Sequence, residues 1–404
     1  MKLRNILIAL FAVCALAACS KDDAVTKNDS GETVEALISF AVSSEPVTKM
    51  FLENGYVQDI YIDKLTAYIF KGSDKTFVTS KTVTADDNGG KSVEQIEKIV
   101  VKVRQNSNDQ FIAVFIANAT PTKEINTLND LMTSTLARGK DEYLPMVSKQ
   151  IQFANLQIGE NWIDNNGQVV SSTTQGKYTA IDLTRLVARI EIEKLDVQSL
   201  QDKFPNAAFK LETISLVNVH SATIPDKDNN TVGGYLRGLD DETFDNCTDL
   251  EWIKSPSSFD DYLLTTYTKE KYMIPTQASG NSSENNFIFP DSGEEYNSAI
   301  HDGPRFVKYI YSSPESSNTA LLLSGKFKRD KNSTKEETRY YRVYLNDNIN
   351  TPGAIESNKI YLVTIFIGGE GSPKPDPVLE TIDVSIQLKV KPWEVYVQDE
   401  EITN

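Results

Sequence analysis

Short runs of alternating or β-branched apolar residues recur along this chain, separated by clusters of Asn, Asp, Gly and Ser. Successive side chains of a strand point to opposite faces, so a run of this kind buries one face of a sheet. Helical periodicity is scarce and is best over residues 124–136 and 195–203. A chain of 404 residues exceeds the size of one hydrophobic core. We therefore predict an all-β protein of two tandem antiparallel β-sandwich domains with few short helices.

The composition argues against several functional classes. The chain carries 57 acidic residues against 41 Lys and Arg, a formal charge of −16, whereas nucleic-acid binding needs clustered positive charge. Two His leave little material for His-based catalysis or metal binding. No G-x-S-x-G, H-E-x-x-H or G-x-G-x-x-G motif occurs. We predict no enzyme, no cofactor, no metal site and no nucleic-acid partner.

The N-terminus has the pattern of an export signal. Lys2 and Arg4 precede an apolar run, residues 6–16, that is too short to span a bilayer easily. The run ends in Leu16-Ala17-Ala18-Cys19, which is similar to a bacterial lipobox. The lipobox predicts loss of residues 1–18 and lipidation of Cys19, with attachment to a membrane by lipid alone. A plain signal peptide with an incidental Cys is the alternative.

The C-terminus combines a breaker-rich segment with a regular strand pattern. Gly368–Pro377 holds three Gly and three Pro in ten residues and cannot be a strand interior. A strict period-two apolar ladder follows, is interrupted at Pro392-Trp393 and resumes. The ladder must bury its face in its own sheet, which the pattern alone favours, or in a neighbour by strand addition. Its members are Ile382, Val384, Ile386, Leu388, Val390, Trp393, Val395 and Val397.

Several short segments, taken in order behind the lipobox, resemble one family. The chain is similar to the Bacteroidales fimbrillins, the structural subunits of type V pili. The matching segments are Leu65-Thr66-Ala67-Tyr68-Ile69-Phe70, Phe115-Ile116-Ala117-Asn118-Ala119, Leu144-Pro145-Met146, Leu183-Thr184-Arg185-Leu186-Val187-Ala188-Arg189-Ile190, Asn358-Lys359-Ile360-Tyr361 and Pro392-Trp393.

The resemblance implies transthyretin-like sandwiches and a polymerisation mechanism. A lipidated precursor reaches the outer membrane, a trypsin-like protease cuts in the loop after the first strand, and that strand is lost. The C-terminal extension of another subunit then fills the groove. On this chain the cut falls between Lys49 and Met50. The removed strand carries Ala36, Ile38, Phe40 and Val42, and the donor residues are the ladder from Ile382 to Val397.

This resemblance also predicts how the chain is divided. Residues 1–18 are the signal peptide and 19–49 the tether with the removable strand. Residues 50–200 and 201–377 are the two sandwiches, and 378–404 the donor extension. The expected partners are further copies of the chain, other pilus subunits and a host or bacterial adhesion receptor. The expected final location is an extracellular fimbrium on the cell surface.

One departure from the family pattern keeps alternatives open. The family's cut follows Arg, yet no Arg occurs between Arg4 and Arg104. Either a Lys-tolerant protease acts at Lys49, or the first strand and its lipid are retained, as suits an anchor subunit. A stalk subunit is the favoured interpretation, and a tip or anchor subunit is the runner-up. A non-polymerising surface lipoprotein that binds glycans is the remaining alternative.

Overall fold

The protein is built almost entirely of β-strands. The computed structural model describes residues 33–44, 60–104, 108–138, 143–170, 179–200, 203–220, 222–226, 235–236, 264–266, 286–288, 307–345, 353–373 and 384–392. Within these ranges lie 23 strands, one five-residue α-helix, Leu128–Met132, and 3-10 turns at Asp86–Asn88, Gln198–Leu200 and Glu315–Ser317. The all-β prediction is confirmed.

The strands before residue 186 form the first sandwich. They are β1 Thr33–Ser44, β2 Lys64–Lys71, β3 Phe77–Thr84, β4 Gln95–Arg104, β5 Phe111–Ala117, β6 Ala119–Pro121, β7 Leu136–Arg138, β8 Met146–Ser148, β9 Ile151–Phe153, β10 Gly159–Ile163, β11 Val169–Val170 and β12 Ile181–Arg185. The main sheet runs in the order β11-β10-β1-β12-β8-β5-β2-β3, with β4 beside β1 and β9 beside β5. It folds around a core to which Ile38 of β1, Ile99 of β4 and Phe115 of β5 contribute.

The remaining strands form the second sandwich. They are β13 Val187–Asp196, β14 Ala208–Val217, β15 Val219–His220, β16 Tyr235–Leu236, β17 Leu264–Thr266, β18 Asn286–Ile288, β19 Val307–Tyr311, β20 Ala320–Lys328, β21 Glu337–Tyr344, β22 Lys359–Ile367 and β23 Val384–Pro392. A sheet ordered β18-β13-β22-β23, with β19 beside β13, faces a sheet ordered β17-β14-β20-β21. Ile190 and Val363 from the first sheet meet Ile214 and Leu323 from the second in one core.

Both stretches with helical periodicity form much shorter helices than expected. In residues 124–136 only Leu128–Met132 is α-helical, and in 195–203 only Gln198–Leu200 forms a 3-10 turn. Thr127 caps the helix, because its hydroxyl accepts from the Asp130 N–H while the Asp130 carboxylate accepts from the Thr127 N–H. The Thr127 hydroxyl also donates to the Asp130 carboxylate at 2.8 Å. This hydrogen bond first, and then those from the Thr127 and Asn126 N–H groups, lower the pKa of Asp130. Leu131 is fully buried and joins Ile112 in a cluster on the outer face of β5, so packing rather than periodicity limits the helix.

The change from one sandwich to the other occurs at Leu186. β12 ends at Arg185 in the first sheet, and β13 starts at Val187 in the second. The stretch Val187–Asp196 therefore packs with the second sandwich, although the sequence division assigned residues up to 200 to the first. The division after residue 200 stays a prediction about domains, whereas the sheets themselves change at Leu186.

The first part of the expected hinge, Gly368–Pro377, is held against β21. Tyr340 and Ser372 exchange two backbone hydrogen bonds of 2.9 and 3.0 Å. The Tyr341 hydroxyl donates to the Gly369 carbonyl at 3.0 Å, and burial raises the pKa of Tyr341. Glu370 forms an ion pair of 2.7 Å with Arg329. Residues 368–372 are thus docked, and residues 374–377 lie outside the described part of the chain.

We predict that Gly371→Ala destabilises the protein more than Gly89→Ala. Both glycines have positive φ, +73° and +67°, so each substitution adds about 1–2 kcal/mol of backbone strain. A Cβ at Gly371 would lie 2.7 Å from the Tyr341 ring, whereas a Cβ at Gly89 meets nothing within 4 Å. The clash adds about 1–3 kcal/mol. Urea unfolding of the full chain measures both variants, and equal losses would contradict the packing around Tyr341.

Candidate functional site

The first strand, β1, occupies the interior of its sheet. Residues 33–41 run antiparallel to β4, with Ile38 opposite Ile99. On the other side residues 36–40 run parallel to β10, and Val42–Ser44 run parallel to β12. Its partners therefore come from segments that follow it by many residues in the chain. Withdrawal of β1 would open a slot between β4 and β10, leaving β4 without its ladder partner and β10 paired with β11 alone.

The inward face of β1 is completely buried. Ala36, Ile38 and Phe40 have no exposed surface, and Val42 is 5% exposed. Burial of the Ile, Phe and Val side chains contributes about 1.5–3 kcal/mol each. The structure therefore places all four residues expected on the removable strand at the centre of the first core. Their removal during processing stays a prediction.

Phe40 is the main aromatic contact of this strand. Its ring meets the Phe115 ring edge-on, with centroids 4.8 Å apart and planes at 71°. It meets the Phe153 ring in the same manner at 5.9 Å and 75°. Edge-to-face pairs of this kind add stability beyond the buried area. At position 40 the slot around β1 therefore has aromatic walls, which β5 and β9 provide.

A β-bulge interrupts the ladder between β1 and β4. Ile38 pairs with Ile99, but Phe40 pairs with Ile96, so β4 carries an extra residue. Lys98 has φ +54°, and its backbone N–H donates to the Ser39 hydroxyl oxygen at 3.0 Å. Ser39 is 3% exposed. Sequence reasoning missed this contact, because Ser39 has only the pattern of an outward-facing residue.

Asn161 fastens the other side of the slot. It is buried on β10, and its side-chain amide nitrogen lies 3.2 Å from the Leu37 carbonyl oxygen. The same nitrogen donates to the carbonyls of Gln157 and Gly159 at 2.8 and 2.9 Å, while Oδ1 accepts from the Gln157 N–H. This side chain orders the start of β10 beside β1. The local sequence pattern did not indicate that Asn161 contacts β1.

The last described strand, β23, lies in the second sandwich. It runs antiparallel to β22 from the pair Val384–Ile367 to the pair Pro392–Lys359. Leu388 is partly buried and packs against the core between the two sheets. In the part of the chain that the structure describes, β23 is the edge strand of its sheet. The structure thus shows the described part of the ladder, residues 384–392, paired in its own sheet, which is the arrangement that the pattern alone favours.

Two of the segments that carry the family resemblance meet at Asn118, which lies between β5 and β6. Asn118, with φ +57°, donates through its side-chain amide to the Leu144 and Tyr61 carbonyls at 2.9 and 2.8 Å. Its Oδ1 accepts from the Asp63 N–H at 2.9 Å. Asn118 therefore ties the end of β5 to the segment before β2 and to Leu144-Pro145-Met146.

Two further segments meet where the sheets change. The Leu186 N–H donates to the Pro145 carbonyl at 2.9 Å, and the Asn358 N–H donates to the Val187 carbonyl at 2.8 Å. The buried Arg185 guanidinium lies 3.4 Å from the Asn358 side-chain oxygen. Residues of these segments, far apart in sequence, thus meet at the junction between the two sandwiches.

Several expected site residues lie outside the described part of the chain. They are Cys19, Lys49, Met50, Ile382, Trp393, Val395 and Val397. Among the described residues no helix is long and apolar enough to cross a membrane. The same residues hold no group of three His, Cys, Asp or Glu side chains placed for a metal ion.

Residues 18–185 match the family model of the major fimbrial subunit protein, FimA. The fimbrillin resemblance is confirmed. The match begins beside Cys19 and ends with β12, so it covers the tether and the whole first sandwich. The family consists of structural fimbrial subunits rather than enzymes.

Solved structures with the same fold extend over most of the chain. A fimbrilin of Porphyromonas gingivalis W83 is 20% identical, with 90% of this chain and 99% of that one covered and a TM-score of 0.53. A candidate cell adhesion protein of Parabacteroides distasonis is 16% identical, with 90% and 100% covered and a TM-score of 0.55. These identities support the fold alone. No curated protein matches the sequence.

We predict that Phe40→Ala destabilises the uncut chain by about 3–5 kcal/mol, because the ring fills a closed site between two other rings. Leu37→Ala is the matched control on the same strand. Leu37 faces outward and is only partly buried, opposite the exposed Val100. Its truncation should therefore cause a much smaller loss. Urea unfolding measures both variants, and comparable losses would show that β1 does not anchor the core through Phe40.

Proposed function

We propose that this chain is the precursor of a structural subunit of a cell-surface fimbria. The subunit polymerises when the C-terminal extension of one copy replaces β1 of the next. The observation that supports this most directly is the position of β1. It is the first described strand, it is central in its sheet, and it carries four buried apolar side chains. The family match to the first sandwich supports the same role.

The proposed route starts at the membrane. Residues 1–18 are removed, Cys19 carries lipid, and the precursor is held at the outer membrane. A Lys-tolerant protease then cuts between Lys49 and Met50. The cut separates β1 from β2 in the chain, so β1 is retained only by its ladder and its buried face. Loss of β1 also releases the subunit from its lipid.

The physical basis of exchange is recovery of the lost burial. An empty slot exposes the rings of Phe115 and Phe153 and the ladder edges of β4 and β10. A strand with apolar residues at every second position restores both the apolar contacts and the backbone hydrogen bonds. β23 and the residues around it carry such a ladder. As an edge strand, β23 leaves its sheet by breaking one ladder rather than two.

Donation from one copy to the next produces a filament. The donor and the slot are different surfaces, so the contact is heterologous and need not close into a ring. A stalk subunit uses both surfaces, an anchor subunit keeps β1 and its lipid, and a tip subunit needs only one of them. The regular ladder at the C-terminus favours the stalk. Adhesion through such a filament requires a receptor, and no residue of the sequence identifies that receptor.

A cleft in the first sandwich favours a second function, glycan binding by a surface lipoprotein. The cleft has a volume of about 680 Å³ and lies between β9 and the β10–β11 turn. Its walls include the amide side chains of Gln110, Gln152, Gln157 and Gln168. Side-chain amides offer a donor and an acceptor together, as sugar hydroxyls require. Binding of the uncut chain to neutral polysaccharides, with no change in size after trypsin, would support this function over polymerisation.

Processing at Lys49 is tested by Lys49→Gln, with Lys27→Gln as the control in the same tether. In the parent chain and in Lys27→Gln we expect subunits that begin at Met50 and filaments that contain them. Lys49→Gln should keep the lipid on Cys19 and form no filaments, because β1 stays in its slot. N-terminal sequencing and electron microscopy of cell-surface material measure both. Filaments of Lys49→Gln that start at Met50 would contradict the proposed route.

A further inference from the structure

The slot around β1 is uneven along its length, and this unevenness can set the register of the strand that fills it. The inference rests on the exchange proposed above. At the bulge, the Lys98 N–H points at position 39 of β1 and is satisfied by the Ser39 hydroxyl at 3.0 Å. When β1 leaves, that acceptor leaves with it. This hydrogen bond is partly buried, with Ser39 itself 3% exposed, so a strand that covers the Lys98 N–H without offering an acceptor leaves that donor unsatisfied. An incoming strand that supplies an acceptor at this position is therefore favoured.

The direction of the incoming strand follows from its two walls. β4 offers the hydrogen-bond pattern of an antiparallel partner. β10 offers the different pattern of a parallel partner. These two hydrogen-bond patterns are not interchangeable. An incoming strand that satisfies both walls therefore runs in the direction of β1.

Strand periodicity then restricts the register. Shifting a strand by one residue turns its apolar face outward, so only steps of two residues keep the ladder in the core. The four inward positions are those of Ala36, Ile38, Phe40 and Val42. The residue between the second and third of them must be the acceptor for Lys98.

Four registers remain, and two of them are excluded, one because it offers no acceptor at the bulge and the other because it buries a charge. With Lys389 at position 39 no acceptor reaches the bulge, and Pro392 falls at position 42. With Asp383 at position 39, Glu380 falls at the fully buried position of Ala36. An unpaired charge there is strongly unfavourable. The part of the ladder after Pro392 is excluded for the same reason. If Trp393 occupies position 38, the charged Lys391 falls at the buried position 36.

The last two registers place either Ser385 or Gln387 at the bulge. A Ser oxygen sits on Cβ, as in Ser39, whereas the Gln oxygen is two carbons farther from the backbone. Val384-Ser385-Ile386 also repeats the apolar–Ser–apolar order of Ile38-Ser39-Phe40. We propose that Ser385 of one copy takes the place of Ser39 in the next, accepts from the Lys98 N–H and thereby fixes the register of exchange.

Paired cysteines distinguish the two registers. Val100 lies opposite Leu37 and Lys102 lies opposite Glu35, on the same exposed face of β4. With Ser385 at the bulge, Asp383 of the incoming strand falls opposite Val100. With Gln387 there, Asp383 falls opposite Lys102. The two chains to compare are therefore D383C with V100C and D383C with K102C, both carrying C247S.

Both chains are treated with trypsin, assembled under reducing conditions and then oxidised. We expect the V100C chain to give a ladder of disulfide-linked copies on a denaturing gel and the K102C chain to remain monomeric on that gel. A ladder from the K102C chain would overturn the register. Filaments in which neither chain is linked would overturn the direction. A parent chain that forms no filaments after trypsin would overturn the proposed function itself.

The role of the hydroxyl is tested by Ser385→Ala and Ser385→Thr in the V100C chain. Loss of the acceptor should weaken strand binding about ten-fold and lower the yield of the linked ladder. Thr keeps a hydroxyl on Cβ and should restore the ladder. Gln387→Ala is the control for a neighbouring polar residue and should leave the yield unchanged. Equal yields from Ser385→Ala and the parent would overturn the assignment of Ser385.

Discussion

The pairing of β1 with β4 and β10 is the constraint on which the first sandwich depends. One strand supplies Ile38 and Phe40 to the centre of the core and completes two ladders at once. Its neighbours come from later parts of the chain, so the sheet closes only when the first strand is inserted. A strand with this position is structurally essential, yet it is joined to the rest of the chain through one connection. A cut in that connection leaves it held by non-covalent contacts alone.

The two sandwiches are connected more closely than a linker would connect them. β12 continues into β13 through Leu186 alone, and Asn358 binds the Val187 backbone from the second sandwich. Ile360 and Leu362 of β22 pack into the first core. The buried ion pair of Arg189 and Glu191 lies on β13 near the same place. Force along a filament would therefore pass through hydrogen-bonded strand and packed side chains rather than through a flexible hinge.

Much of this architecture was readable from the sequence, because strand periodicity is a local property. The alternation of Ala36, Ile38, Phe40 and Val42 predicted a strand with one buried face, and the structure has that face at the core. The alternation could not show that β1 lies parallel to β10, since partner choice depends on contacts across more than a hundred residues. The helical periodicity over residues 124–136 corresponds to a helix of only Leu128–Met132, because β7 starts at Leu136 and pairs with β6.

The sequence by itself determined the all-β class and the apolar ladders at both ends, since each is a pattern within a short window. Only the tertiary structure decided that β23 pairs with β22 and that the Lys98 N–H needs the Ser39 hydroxyl. The same holds for Asn118 and Asn358, whose positive φ and hydrogen bonds join distant segments. The reason is that the alternation of apolar and polar residues along a strand does not indicate which group a polar side chain will hydrogen-bond. That partner is specified by the register between strands, which forms only when the whole sheet is assembled.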